Sequence, residues 1–218
     1  AAMHADVVYV CTNLGAIAAV SASTGSVIWL RVYERAAAGS SPGATWSSRE
    51  RPPWELNPVL WSGGRVICQP ADSGNLLVLA EGDGRLIKSI PLSELRGIQS
   101  VLGVSGDMVC GSGSSVSCYD FSADRLLWSA ELPEDDSSFG RGQWVNDALW
   151  IPTRSGLWRF RAADGESDQL LWGPDGESGN LVAIADQLVI AGTRGVAAYV
   201  RKVDLFNALR EKMAAAPR

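Results

Sequence analysis

The chain has 218 residues, 46% of them hydrophobic and 20% charged, enough for one large domain or two small ones at about 150 residues each. That composition excludes a disordered chain, and no apolar run reaches the ~18–20 residues of a membrane span. Nineteen basic residues against 24 acidic ones give a net charge of −5. No basic patch of the kind that binds phosphate backbones is visible, so nucleic acid is not an expected partner.

The first elements set a pattern. Residues 7–12 are β-branched and aromatic and read as a strand. Asn13, Leu14 and Gly15 form a turn signal, residues 16–22 a second apolar run, Thr24 and Gly25 another turn, and residues 27–30 a third strand. The frame of Gly15, Gly25 and Trp29 returns as Gly74, Gly84 and Lys88, then as Ser114, Asp124 and Trp128. A fourth copy, Gly156, Gly165 and Trp172, is irregular in spacing, and a fifth keeps two strands, residues 188–192 and 195–199. Each later copy is preceded by a short apolar stretch: residues 56–61, 98–104, 143–146 and 180–184. The unit is therefore four strands in ~40–45 residues, the size of a propeller blade.

Only five residues precede Asp6, so the first unit reads as lacking its inner strand, and the last lacks a clear outer one. The expected fold class is all-β: an arc of four-stranded antiparallel blades over residues 1–202, about three complete and two partial. Closed propellers have four to eight blades, so the chain reads as a fragment of a larger one. Residues 203–218 read as a short C-terminal helix. Asp204 caps it, Leu205, Leu209 and Met213 form one apolar stripe, and Pro217 ends it. It is either a cap on the last blade or the start of a helical domain.

Residues 15–29, with Gly15, Thr24, Gly25 and Trp29, resemble the repeat of the pyrroloquinoline-quinone-like (PQQ-like) β-propellers. The resemblance spans about residues 6–200 and is strongest in the first copy. It implies that the bulky residue of one blade docks on the blade beside it. Gly15, Gly25, Trp29, Gly74, Gly84, Trp128 and Trp172 are then structural docking positions. The consensus Asp of the repeat survives only as Asp120. The family contains quinoprotein alcohol dehydrogenases, which hold PQQ and calcium, and BamB-like scaffolds without a cofactor. It also implies a periplasmic or extracytoplasmic location.

Little in the chain points to catalysis. His4 is the single histidine and falls in a start expected to fray, which argues against Ser-His-Asp, Cys-His and His-metal chemistry. Gly111, Ser112 and Gly113 sit in a hairpin without the Lys of a phosphate loop. Cys11, Cys68 and Cys110 all follow the same apolar position of a second strand and read as small buried hydrophobes in three blades. Cys110 and Cys118 flank Ser114 symmetrically and form a cross-strand disulfide if the register pairs them. The acidic loops, Glu131 with Glu134 to Asp136 and Asp164 with Glu166 and Asp168, have calcium-like chemistry without EF-hand spacing, so a solvated loop is the plainer reading. No metal site is expected. The adjacent cysteine pair of the dehydrogenases is absent, and no cofactor is expected; the alternative is part of a PQQ- and calcium-dependent enzyme whose site lies mostly outside this segment.

The segment of residues 34–55 combines Pro and Gly with Trp46, Arg49, Arg51 and Trp54. Long loops often carry function, and Trp with Arg is the composition of interaction hot spots. In a propeller it shares a face with the second-to-third-strand hairpins, which carry Asn13, Asp72, Arg154 and Arg194. These eight residues are the candidates for binding a protein or peptide partner. An ordered flap over the rim is the equal alternative for the segment.

Overall fold

Alternation of apolar residues along short strands, broken every few residues by Gly or Asn turns, folds this chain into antiparallel sheets of three or four strands. The computed structural model describes residues 1–36, 57–96, 98–113, 115–133, 136, 138–171, 178–184 and 187–200. The chain divides into two compact units, Ala1–Leu132 and Pro133–Arg218.

The first unit holds three four-stranded blades. The first is β1 (Ala2–His4), β2 (Val7–Cys11), β3 (Ala16–Ser21) and β4 (Val27–Val32). The second is β5 (Leu60–Ser62), β6 (Arg65–Cys68), β7 (Asn75–Ala80) and β8 (Leu86–Pro91). The third is β9 (Ile98–Ser105), β10 (Met108–Gly113), β11 (Ser115–Asp120) and β12 (Arg125–Glu131). The second unit holds β13 (Gln143–Val145), β14 (Ala148–Pro152), β15 (Gly156–Arg161) and β16 (Ser167–Leu171), and a three-stranded sheet of β17 (Asn180–Ile184), β18 (Gln187–Ala191) and β19 (Val196–Val200).

The all-β blade architecture is as expected, with one correction. The first blade is complete, because β1 fits into the short start and pairs Ala2 with Tyr9 and His4 with Val7. Three residues suffice for an inner strand when the neighbouring blade holds them. His4 is not frayed: its ring stacks on Trp61 at 3.6 Å between centroids, and its Nδ1 lies 2.9 Å from Glu81 Oε1. The expected C-terminal helix lies outside the described residues, as does Trp172. Among the described residues no helix is long and apolar enough to cross a membrane.

The second blade shows how period-two alternation builds the stack. Val66, Cys68, Leu77 and Leu79 pack with Tyr9, Ile17, Ala19 and Trp29 of the first blade. Ile67, Leu76, Val78 and Ile90 pack with Val101, Val109, Tyr119 and Phe121 of the third.

A recurring hairpin explains the repeat. Trp29, Lys88 and Trp128 pair with Ala19, Val78 and Cys118, and in each case the register shifts by a bulge at the next residue. The β15–β16 hairpin pairs without that bulge, and it belongs to the copy whose sequence frame is irregular. Gly15 O accepts from Tyr33 N, and Gly74 O accepts from Leu92 N in the same way. Asp120 Oδ1 accepts the backbone N–H groups of Ser122 and Ala123, which closes its turn. Gly84 has a φ of +67° and lies under the Trp29 indole, where a Cβ would come within 2.5 Å of the ring. Only glycine fits both demands.

Cys110 and Cys118 are register partners across β10 and β11 and form a disulfide, with Cα atoms 4.1 Å apart. Equivalent positions on neighbouring strands bring the two side chains to one face of the sheet.

Candidate functional site

The hairpin rim of the first unit is built around two short loops. One follows β2 and carries Asn13, which has a left-handed φ of +54°, a conformation Asn tolerates better than most residues. The other follows β6 and carries Asp72. The loops are tied together, because Asn13 Oδ1 accepts the Ala71 N–H at 2.8 Å and the Cys11 thiol at 3.7 Å.

Asp72 anchors the end of the first blade. Tyr33 Oη donates to Asp72 Oδ1 at 2.5 Å and accepts from Gly15 N at 3.2 Å. Arg35 Nε lies 2.8 Å from Asp72 Oδ2, and the Ala36 N–H donates to the Asp72 carbonyl at 2.8 Å. Burial and then the Asp72 carboxylate push the Tyr33 phenol far above its ordinary range. Asn13 Oδ1 and Asp72 Oδ1 therefore brace the two loops, while Leu14, next to Asn13 in the chain, is 76% exposed. Tyr33 lines a groove of about 190 Å³ together with Ser73, Asn75, Leu77 and Leu79.

Under this rim lie Cys11 and Cys68. They come from different blades, as the sequence implies, but Cys11 packs against the core that holds Cys68, where a hydrogen bond between the two side chains shifts both thiols. This bond brings the Cys11 thiol down to about 7, while the Cys68 thiol is pushed well above its ordinary value by the same bond and by burial. Sequence reasoning places both thiols at the same strand position. The registers correct this: Tyr9 and Ile67 oppose Ala19 and Val78, the partners of Trp29 and Lys88, so Cys68 aligns with Val10 and Cys11 with Gln69. The one-residue offset turns Cys68 toward the first blade, into the core against which Cys11 packs.

In the second unit, Arg154 sits at the β14–β15 turn with its guanidinium 5.9 Å from the ring centre of Phe139, which is 42% exposed. Arg194 sits at the β18–β19 turn, where Gly192 N bonds to Gly195 O. Trp46, Arg49, Arg51 and Trp54 lie outside the described residues.

Asp136, Asp164, Glu166 and Asp168 of the acidic loops are engaged with protein groups. Asp164 takes three bonds from Arg161 at 2.5–3.0 Å, Arg161 also pairs with Glu166, and Arg159 lies 3.8 Å from Asp168. Asp136 is a buried hub that sequence reasoning grouped with exposed acids. Its carboxylate accepts from Thr153 Oγ1, the backbone and hydroxyl of Ser155, Trp158 Nε1 and Gln169 Nε2 at 2.6–3.1 Å. Burial alone would raise its pKa, but the donors, led by Ser155, outweigh burial and hold it below the usual range. Nothing in the local spacing marks Asp136, because its partners arrive from β15, β16 and the turn before them. Among the described residues no three His, Cys, Asp or Glu side chains converge as a metal would need.

No known protein-family profile matches this chain, and no curated protein matches it in sequence. Solved structures do match. BamB from Moraxella catarrhalis is similar with a TM-score of 0.59 and 21% identity, over 90% of this chain and 55% of that one. The computationally designed Ika8 protein gives 0.59 and 10% over 92% and 57%. A europium-containing methanol dehydrogenase gives 0.56 and 12% over 86% and 46%. The chain thus spans about half the length of the structures it matches. At these identities the likeness is one of fold, that of a β-propeller.

Proposed function

We propose that this chain is part of a non-catalytic β-propeller scaffold that binds a protein or peptide partner through its hairpin rim. The observation that carries the reading is the rim itself. Bracing by Asn13, Asp72 and Tyr33 fixes the loops in place while leaving Leu14 open to solvent. The second unit offers an exposed Phe139 under Arg154. Rigid loops with exposed apolar and Arg–aromatic groups cost little entropy on binding and have hot-spot composition. The resemblance to cofactor-free scaffolds points the same way.

The test is partner capture by the full-length protein, followed by cross-link mapping. Leu14→Asp and Phe139→Ala with Arg154→Ala are expected to lower captured partner about tenfold or more, with melting behaviour unchanged. A second set, Trp46→Ala, Arg51→Ala and Trp54→Ala, tests the segment outside the described residues. Capture that survives both sets, with cross-links elsewhere, overturns the placement on the rim.

A second reading, part of a quinone-dependent dehydrogenase, is supported by the fold likeness to a methanol dehydrogenase. Among the described residues no three His, Cys, Asp or Glu side chains converge, and no step through a calcium-held quinone is derived. Dye-linked alcohol oxidation by the full-length protein loaded with PQQ and calcium would favour this reading over the first.

A further inference from the structure

The two free cysteines of the first unit form a pair that neither the scaffold nor the dehydrogenase reading uses. Cys11 ends β2 and Cys68 ends β6, equivalent strands of adjacent blades. The loops that follow them are held together through Asn13 Oδ1, which takes both the Ala71 N–H and the Cys11 thiol. Cys68 lies in the core between the first and second blades, and Cys11 packs against that same core. The two differ in access: Cys11 is partly open to solvent, whereas Cys68 is 2% exposed. An accessible thiol backed by a buried one is the arrangement in which the first reacts with an incoming group and the second displaces it.

We propose that Cys11 and Cys68 are a thiol–disulfide exchange site whose substrate class is a small disulfide of the glutathione type. Cys11, as thiolate, attacks one sulfur of the external disulfide. A Cys11–S–S–R bond forms, the R–S–S–R bond breaks, and one RS⁻ leaves. Cys68 gives its proton to a released thiolate, and its sulfur attacks Cys11 Sγ. The Cys11–Cys68 bond forms and the second RS⁻ leaves. The protein loses two electrons and two protons, and the external disulfide is reduced to two thiols. The product is a covalent staple between the first and second blades.

The surroundings favour Cys11 as the attacking group. The Cys68 thiol, the Asn13 backbone and the Tyr33 hydroxyl all stabilise its thiolate, against burial and the Asp72 charge. Only the thiolate is nucleophilic, and a thiol with a pKa near ambient pH is close to the optimum for attack.

The experiment uses the full chain, exposed near neutral pH to oxidised glutathione and mapped by proteolysis and mass spectrometry without reduction. The expected product is a Cys11–Cys68 peptide pair, with the Cys110–Cys118 pair unchanged. In Cys68→Ser the glutathione stays on Cys11 until a reductant is added. In Cys11→Ser, Cys68 stays unmodified. In the untreated wild-type protein, iodoacetamide is expected to label Cys11 about tenfold or more faster than Cys68, a readout that needs no variant. The proposal is overturned if the wild-type protein keeps glutathione on Cys11 without forming the pair. Linkage of Cys11 to a second chain, or labelling of both thiols at one rate, overturns it as well.

Discussion

Two boundaries in the first unit occupy the same architectural slot and fill it with different chemistry. Between the first and second blades, the Trp29 indole lies on Gly84 and donates from Nε1 to the Glu81 carbonyl at 2.7 Å. Glu81 also takes His4 and the Tyr9 hydroxyl, each at 2.9 Å. Between the second and third blades, Lys88 stands at the Trp29 position and Asp124 at the Gly84 position, and the two form an ion pair. Asp124 keeps the left-handed turn with a φ of +56°, so the backbone is conserved while the contact changes from apolar to charged. Tyr119 Oη adds a bond to Asp124 at 2.6 Å. The comparison teaches that the bulged hairpin fixes where the blade reaches its neighbour, and the residue at its tip decides only how strongly.

The largest expected effect lies at the first boundary. Trp29 is 8% exposed and belongs to the core shared by both blades. Trp29→Ala removes that area and leaves a cavity above Gly84, so the expected loss is about 3–5 kcal/mol. Urea unfolding monitored by circular dichroism measures it. A loss below about 1 kcal/mol would mean that the slot is not where stability resides, and the contrast with Lys88 would collapse.

Much of this was legible in the sequence. The repeat of Gly15, Gly25 and Trp29 marks the hairpins and the blade length, because those features depend on local turn chemistry and strand period. The stretches at residues 98–104 and 180–184 are β9 and β17 almost to the residue. What the repeat did not carry is contact between units of it. The replacement of Gly84 by Asp124 looks like decay of a motif, although Lys88 compensates it across a blade boundary. His4 looked frayed because nothing near it in sequence announces Trp61 or Glu81. Asp136 looked like its acidic neighbours because its five donors are more than fifteen residues away in sequence.

Asp136 sharpens the comparison by separating charge from exposure. Like Asp124 it is a carboxylate in a polar network, but it is only 6% exposed. Asp136→Ala leaves the Trp158, Thr153 and Ser155 donors facing a void, and the expected cost is about 1–3 kcal/mol. The pH dependence has a definite sign. The folded pKa lies below the usual value, so the carboxylate's contribution is complete above the ordinary Asp pKa and fades as pH falls through the folded one. Relative to Asp136→Asn, the wild-type advantage should hold from neutrality to about pH 4 and shrink below it. Denaturant midpoints of both proteins across that range measure this. An advantage that grows toward acid would show that burial, not the donors, controls the group.

The smallest expected effect is at Lys88, and it is the most direct way to break the comparison. Lys88 holds Asp124 below its usual pKa, with Tyr119 assisting, yet Asp124 is 61% exposed and solvent screens the pair. Lys88→Ala should therefore lower the denaturation midpoint far less than Trp29→Ala does, and the difference should fade in about 1 M salt, where the screening length is a few ångströms. The converse exchange is more informative. Lys88→Trp with Asp124→Gly rebuilds the first boundary at the second: glycine accepts the positive φ without strain and leaves room for an indole face. The double variant is expected to unfold at higher urea than the wild type and to lose its salt dependence, whereas Lys88→Trp alone, with Asp124 in the way, should gain nothing. If the double variant is also no more stable, the slots share a backbone but not a shape, and the equivalence drawn from the bulged hairpins fails at the side chains.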